Sequence, residues 1–494
     1  MAFSSRYVSW IRFAVTAAIV AVWLALMGSL VRDHYFPPVS QSFQSFQLAS
    51  VEAEDWFTVR IRGAYSGFGR SRQLRKGNDW LVKDDLHLSL NIQGLIKPVE
   101  ITAEAHVDAD FRLLSFKLKV ASGIISFEQS GHMEGRDLVL ESPARGGGTS
   151  RRITMFEAPR MSRSLGLPLP LTGLKVGDDF RVPVFDPMDG QKWDAEIKVL
   201  EKADIDVSGT KVEGWRVRAV YRAMELTVWI DKEGRLLKGQ LPLGITVARS
   251  SKEEIASQTP GVRRLPDIAA LASVPVDGVM PDLAGLKLLR LEVQGLQNSF
   301  VPSDDFRQKF TGSELALRRE AAPEASYAIP CTDPKMAEFL APSRFIRSDS
   351  PEIIDKAREI IGAEKDPVKA AALINRWVFA NLKKVPTPSV PDAVSVLNTK
   401  QGDCNEHAVL AVALARAVGV PGRIALGLVY MEGSFYYHAW VNYWAGTRWF
   451  SADPLMGQLP ADMSHVTLIY GDVDKHVNVM SFLGKLKLKV LAAE

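Results

Sequence analysis

The sequence predicts a multidomain chain: an N-terminal transmembrane helix, then β-rich domain(s), then a C-terminal α+β domain with helices packed on an antiparallel sheet. Three observations lead there. The chain has 494 residues, too many for one hydrophobic core of ordinary size. Phe13 to Val31 reads FAVTAAIVAVWLALMGSLV without a charge. Beyond it the apolar pattern alternates in short runs as far as Ser250 and becomes helical from Ser350. With 47% hydrophobic and 24% charged residues the chain reads as folded rather than disordered. Its 60 basic and 57 acidic residues leave a net charge of +3, so no large field favours nucleic acid, and no nucleic-acid partner is expected.

The apolar run is about 19 residues, roughly 28 Å as a helix, which spans a bilayer core. Arg6 and Arg12 precede it, while Arg32 is offset by Asp33, so the positive-inside bias puts the N-terminus in the cytoplasm. A cleaved signal peptide would have a shorter apolar region and a small-x-small cleavage site, and none is clear before Arg32. Residues 1–34 are therefore expected to be an uncleaved signal anchor. The expected location is a bacterial inner membrane, single-pass, with the bulk of the chain in the periplasm. Residues 35–55, polar and containing Pro37 and Pro38, read as a linker.

Residues 56–257 carry alternating runs such as TVRIRG, HLSLNI, EITAEAHV, FKLKV and TVWID between Gly, Asp and Asn turn signals. A repeat sits within them. AHVDADFRLLSF, Ala105 to Phe116, and VWIDKEGRLLKG, Val228 to Gly239, both read strand, acidic turn, Arg-Leu-Leu, strand. This strand pattern resembles the half-open barrels of periplasmic lipid-carrier and related envelope domains. The resemblance implies a concave apolar face for a lipid or protein ligand; the plainer reading is a structural spacer. A Pro/Gly/Asp-rich connection follows, then a small β domain over 283–347, with LKLLRLEVQGL as its clearest strand signal and no chemical motif.

The last domain, 350–494, opens on helix signals. Ser350 can cap a helix that begins at Pro351, and Asp366-Pro367 repeats that start. A short helix is expected over Asp392 to Leu397 and another over Asn405 to Val418, stopped by Gly419 and Pro421. GRIALGLVYM, SFYYHAWVNYW and TRWFSADP then alternate, with breaks at Glu432-Gly433 and Ala445-Gly446, which predicts an antiparallel meander.

The chemistry concentrates in Gly402-Asp403-Cys404-Asn405-Glu406-His407, where a cysteine stands at a loop-to-helix junction. Unpaired N–H groups and the positive helix end there can stabilise a thiolate and an oxyanion. His438, between aromatic residues in mid-strand, is the candidate base. Asp453, on the next strand beyond a hairpin turn, is the candidate carboxylate that orients it. Cys404 with His407 and His438 is the alternative zinc reading, without a convincing fourth ligand. A Cys331–Cys404 disulfide would consume the nucleophile, and Cys331 otherwise reads as a small buried side chain. His407 reads as a helix-surface or supporting residue, His465 and His476 as solvated, and Trp440, Trp444 and Trp449 as core.

GDCNEHA, AVGVPGRIALG, YYHAW and SADP in this order are similar to the core of the transglutaminase-like superfamily, papain-related cysteine enzymes, over roughly Ser350 to Gly471. The resemblance implies a nucleophile at Cys404, a general base at His438 and an orienting acid at Asp453. It implies no cofactor or metal, and attack on an amide carbonyl through a thioester, ending in hydrolysis or amine transfer; the expected membrane tether makes a protein or peptide of the cell envelope the expected substrate. Relatives often carry an acid at the position of Asn442, and Thr or Ser at that of Leu455. A catalytically silent envelope binding or scaffold module of the same fold is the alternative.

Overall fold

The computed structural model describes residues 52–494 apart from 123–124, 143–148, 156–158, 160–173, 187–190, 222–223, 259–264, 284, 297–299, 386–391, 473–481 and 483. Phe13 to Val31 lies outside the described residues, as does His476. Two expectations are corrected. Among the described residues strand outweighs helix, 51% against 18%, so the fold class is mostly β. No helix among them is long and apolar enough to cross a membrane, and the single-pass inner-membrane placement with a periplasmic bulk is withdrawn.

Fourteen antiparallel strands form the first sheet, between Ala53 and Ser250. The first of them, Ala53–Ile61, lies in the middle and pairs both with its successor, Ala64–Lys76, and with the last, Ile245–Ser250. The chain thus works outward from the centre to one edge, Thr149–Thr154. It re-enters at the other edge, Asp179–Asp186, and returns. Period-two alternation places Trp80, Val82, Ala105, Val107, Leu113 and Phe116 in one apolar cluster.

The two Arg-Leu-Leu segments fold alike. In the first, the Asp108 carboxylate accepts from the N–H groups of Asp110 and Arg112, both at 2.8 Å. In the second, Asp231 accepts from Glu233 at 3.1 Å and Arg235 at 2.8 Å. A side chain that mimics the backbone turn makes the acidic residue the fixed point of each hairpin.

A nine-stranded sheet organises the rest. Strands Leu288–Gln294, Gln308–Thr311 and Glu314–Arg318, from the region read as a small β domain, belong to it. They join through the last strand, Lys487–Ala493, which pairs antiparallel with Leu288–Gln294 and parallel with Val274–Asp277. That strand in turn meets the start of Ser434–Trp444, the strand of His438.

Four helices accompany this sheet: Pro351–Ile361, Pro367–Asn381, Ala393–Thr399 and Cys404–Ala417. Their starts follow local chemistry. Asp366 accepts from the Val368 and Lys369 N–H groups and Asp392 from that of Ser395, each satisfying donors a helix leaves open. Ser350 has the extended cap conformation but no side-chain cap bond. The Cys404 helix is central: Ala408 through Ala415 are all fully buried, because the other three helices and the His438 strand surround it. Truncating Leu410 to Ala there should cost about 2–5 kcal/mol.

Candidate active site

Cys404 is the first residue of its helix, and the G-D-C-x-E sequence fixes that helix start. Asp403 caps it, accepting from Asn405 N–H at 3.0 Å, while the Glu406 carboxylate turns back to accept from Asp403 N–H at 2.9 Å. This reciprocal pair is a capping box. Gly402 is required by it, since a Cβ there would fall 2.2 Å from the Glu406 Cβ. Gly419, at φ +83°, ends the helix where a side chain would meet Pro330 at 2.3 Å.

His438 sits in a strand that pairs along its length with Gly422–Met431. On its other edge, Val274–Pro275 pair with Phe435 and Ser434, and Trp449–Ala452 pair with Trp444 through Val441. Among the described residues, no strand pairs with residues 436–440 on that edge, between these pairings. The Cys404 thiol enters there and accepts the Ala439 N–H, one residue from His438. On the paired strand Gly427 faces His438 in register, and an added Cβ there would lie 1.9 Å from the Val466 carbonyl oxygen. Only glycine lets the neighbouring strand, His465–Tyr470, pass this close.

Asp453 follows the Trp449–Ala452 strand and faces His438. His438 Nε2 lies 2.7 Å from Asp453 Oδ2, with both side chains buried. Asp453 Oδ1 accepts from Leu455 and Met456 N–H at 2.7 and 2.9 Å. Its backbone closes a small loop with Gln458, by bonds of 2.9 and 3.0 Å. Leu455, the departure from the family pattern, contributes here through its N–H alone. Asn442 is buried, and its Oδ1 has no hydrogen-bond partner among the described residues.

The reading of His465 as solvated is corrected: it is fully buried, and its Nε2 lies 3.0 Å from the same Oδ2 of Asp453. Its Nδ1 faces Asp462 Oδ1 at 3.2 Å. The segment DMSH, an acid and a serine just ahead of a histidine that opens the apolar run VTLIY, was the available signal. His407 is also fully buried, with Nδ1 2.7 Å from the Asp403 carbonyl oxygen and Nε2 lacking a partner among the described residues. Asn381, the last residue of the helix Pro367–Asn381, is exposed and donates back to the Trp377 carbonyl in its own helix.

Burial alone would raise the Asp453 carboxyl, but the charge of His438 and the hydrogen bonds from both imidazoles outweigh it. Asp453 is held well below the ordinary carboxylate range. For His465, burial opposes the cation, yet bonds to Asp453 and Asp462 prevail and raise its pKa. The thiol behaves contrary to the sequence expectation. Burial pushes Cys404 well up, the charges of Asp403, Glu406 and Asp453 add to this, and only the Ala439 N–H opposes it. The two carboxylates of the capping box offset the positive helix end that would otherwise favour a thiolate.

His438, Asp453 and His465 bring donor atoms within 4.8 Å of one another, the one such His/Cys/Asp/Glu group among the described residues. Each imidazole nitrogen there already points at the carboxylate, so the trio reads as two N–H donors on one acceptor rather than as three free lone pairs. The alternative set of Cys404, His407 and His438 is not gathered to ligand distance. Cys331 is buried, and both cysteines are free thiols.

Residues 354–454 match the model of the transglutaminase-like superfamily, which places a domain of this type at the C-terminal part of the chain. Residues 162–248 match a family of unknown function, DUF3108. An uncharacterized protein of Mycobacterium leprae is 28% identical over 106 residues, 19% of this chain and 37% of that protein. The match thus spans well under half of that relative. Among solved structures, a proposed cysteine protease from Cytophaga hutchinsonii is 14% identical, with a TM-score of 0.29 over 42% of this chain and 86% of its own. A beta-barrel-like protein of the unknown-function family DUF1849 from Brucella abortus is 9% identical, with a TM-score of 0.31 over 41% of this chain and 96% of its own. The family match supports a cysteine-type enzyme, or a scaffold, of this fold.

Proposed function

We propose that the C-terminal domain is a cysteine-type acyl-transfer site acting on an amide carbonyl of a protein or peptide, with Cys404 as nucleophile, His438 as general base and Asp453 as its orienting carboxylate. The observation that carries this reading is the 2.7 Å contact of His438 Nε2 with Asp453 Oδ2 beside a helix-start thiol. Because Nε2 is engaged, Nδ1 is the nitrogen left to take the Cys404 proton. The sulfur then bonds to the carbonyl carbon, and the N–H groups of the helix start stabilise the oxyanion. The amine leaves with the proton from His438, and water or a second amine resolves the thioester. A thiol whose pKa is raised by burial needs a base to form the attacking thiolate.

A lipid or protein ligand for the fourteen-stranded sheet belongs to the same reading. Its support is the half-buried Leu86, Leu88 and Ile101, which share one face of that sheet.

One observation favours a second reading, a silent binding module: the raised thiol pKa at Cys404. The two are separated by incubating the full chain with labelled peptides and an amine donor and analysing products by mass spectrometry. Cleaved peptide identifies a hydrolase and amine-adducted peptide a transferase. No product from any peptide, together with an unreactive Cys404, would leave the binding module standing.

A further inference from the structure

Asp453 is shared. Its Oδ1 is filled by two backbone N–H groups, and its Oδ2 faces two imidazoles, His438 at 2.7 Å and His465 at 3.0 Å. The second imidazole is itself held on every side. Its Nδ1 is close to Asp462 Oδ1 and to Ser464 Oγ, at 3.2 and 3.1 Å. The His465 backbone carbonyl accepts from Arg307 at 2.6 Å, and its ring meets the edge of Trp440 at 5.0 Å. The two imidazole centroids are 5.6 Å apart.

We propose that His465 is a positioning residue for the Cys404–His438–Asp453 site, holding Asp453 Oδ2 by a second N–H and dividing that carboxylate's charge between two rings. This rests on the catalytic reading above and extends it.

Two consequences follow from elementary electrostatics. A carboxylate clamped by four donors cannot turn away from His438, so the imidazole keeps the tautomer with its Nε2 proton on Asp453 and its Nδ1 lone pair free to accept one. A cation at His465 also competes for Asp453 and, with the two ring centroids 5.6 Å apart, repels a second cation at His438. The charged groups acting on His465 are Asp453, Asp462 and Arg307, with the His438 ring beside it, and His438 meets Asp453 and His465. Arg307 opposes the His465 cation while the two carboxylates favour it.

The test is the pH dependence of Cys404 alkylation by iodoacetamide in the full chain, read by mass spectrometry at that residue, for wild type, His465→Gln, His465→Ala and His438→Ala. Gln keeps a donor for Asp453 but removes the charge. The lower limb of the profile should move up by about one pH unit or more. Ala removes both donor and charge, and should in addition slow the reaction at its plateau. Should either variant fail to fold, the imidazole NMR titrations of the wild type read the same coupling, with His438 and His465 titrating as an interdependent pair. An unmoved limb in folded His465→Gln, or two independent single titrations by NMR, overturns the proposal while leaving the catalytic reading intact. A limb that survives His438→Ala overturns the catalytic reading, and this proposal with it.

Discussion

Glu406 turns its carboxylate back onto the N–H of Asp403 at 2.9 Å, which sets a negative charge at the helix end that carries Cys404. The contact makes the helix start firm and the thiol less acidic at once. Glu406→Gln keeps the acceptor and removes the charge. Its expected effect is a lower Cys404 pKa, read as severalfold faster alkylation near pH 8. The pH–rate profile of the variant checks this; an upward shift would contradict it.

Asp453→Asn should reduce turnover by about 10^3 to 10^4, since an amide no longer selects the tautomer that leaves Nδ1 free. Acid stability should change as well. The folded carboxyl titrates below its unfolded value, so its contribution is complete above about pH 4 and is lost as pH falls through the folded value. Denaturant melts from pH 6 down to pH 2 should show a shallower acid decline in Asp453→Asn than in wild type.

Glu320 has the opposite sign. Its side chain is fully buried against Ser451 and Arg448, and burial pushes its pKa up to about 7 although the Ser451 bonds and the Arg307 and Arg448 charges oppose this. The folded state therefore binds the proton more tightly than the unfolded chain, and stability falls as pH rises from about 4.3 toward 7. Glu320→Gln should be near neutral at pH 5 and stabilising by about 1–3 kcal/mol at pH 8. Equal effects at the two pH values would contradict that.

Gly427→Ala places a methyl 1.9 Å from the Val466 carbonyl oxygen, on the residue paired in register with His438. Backbone must shift to admit it, and a loss of about 3 kcal/mol or more is expected, measured by denaturant unfolding. A variant as stable as wild type would mean that the two strands separate more easily than their packing indicates.

The parts of this architecture that were legible in the sequence are those set by neighbours in the chain. Asp366-Pro367, Asp392 and Asp403 announce helix starts because the capping group and the donors it satisfies lie within three residues of each other. The hairpin through Ala445-Gly446 likewise follows from local turn chemistry and leads from His438 to Asp453. What was not legible depends on contacts that no local pattern encodes. The pairing of Lys487–Ala493 with both Leu288–Gln294 and Val274–Asp277 joins segments far apart in sequence. His465 was missed because a histidine at a strand start is polar by type, and only the fold brings it to the buried Asp453. The thiol was misjudged for a different reason. The helix end favours an anion, but the two carboxylates of its own capping box and the burial of the site act together in the other direction.

The most direct measurement is the pH profile of Cys404 alkylation in the wild type and in His438→Ala, with thermal melting to confirm that both are folded. If Cys404 and His438 act as a base-assisted pair, the wild type should show a limb in the imidazole range, and the variant should lose it and react only where the raised thiol itself ionises. Superimposable profiles would contradict the pairing on which the proposed chemistry depends.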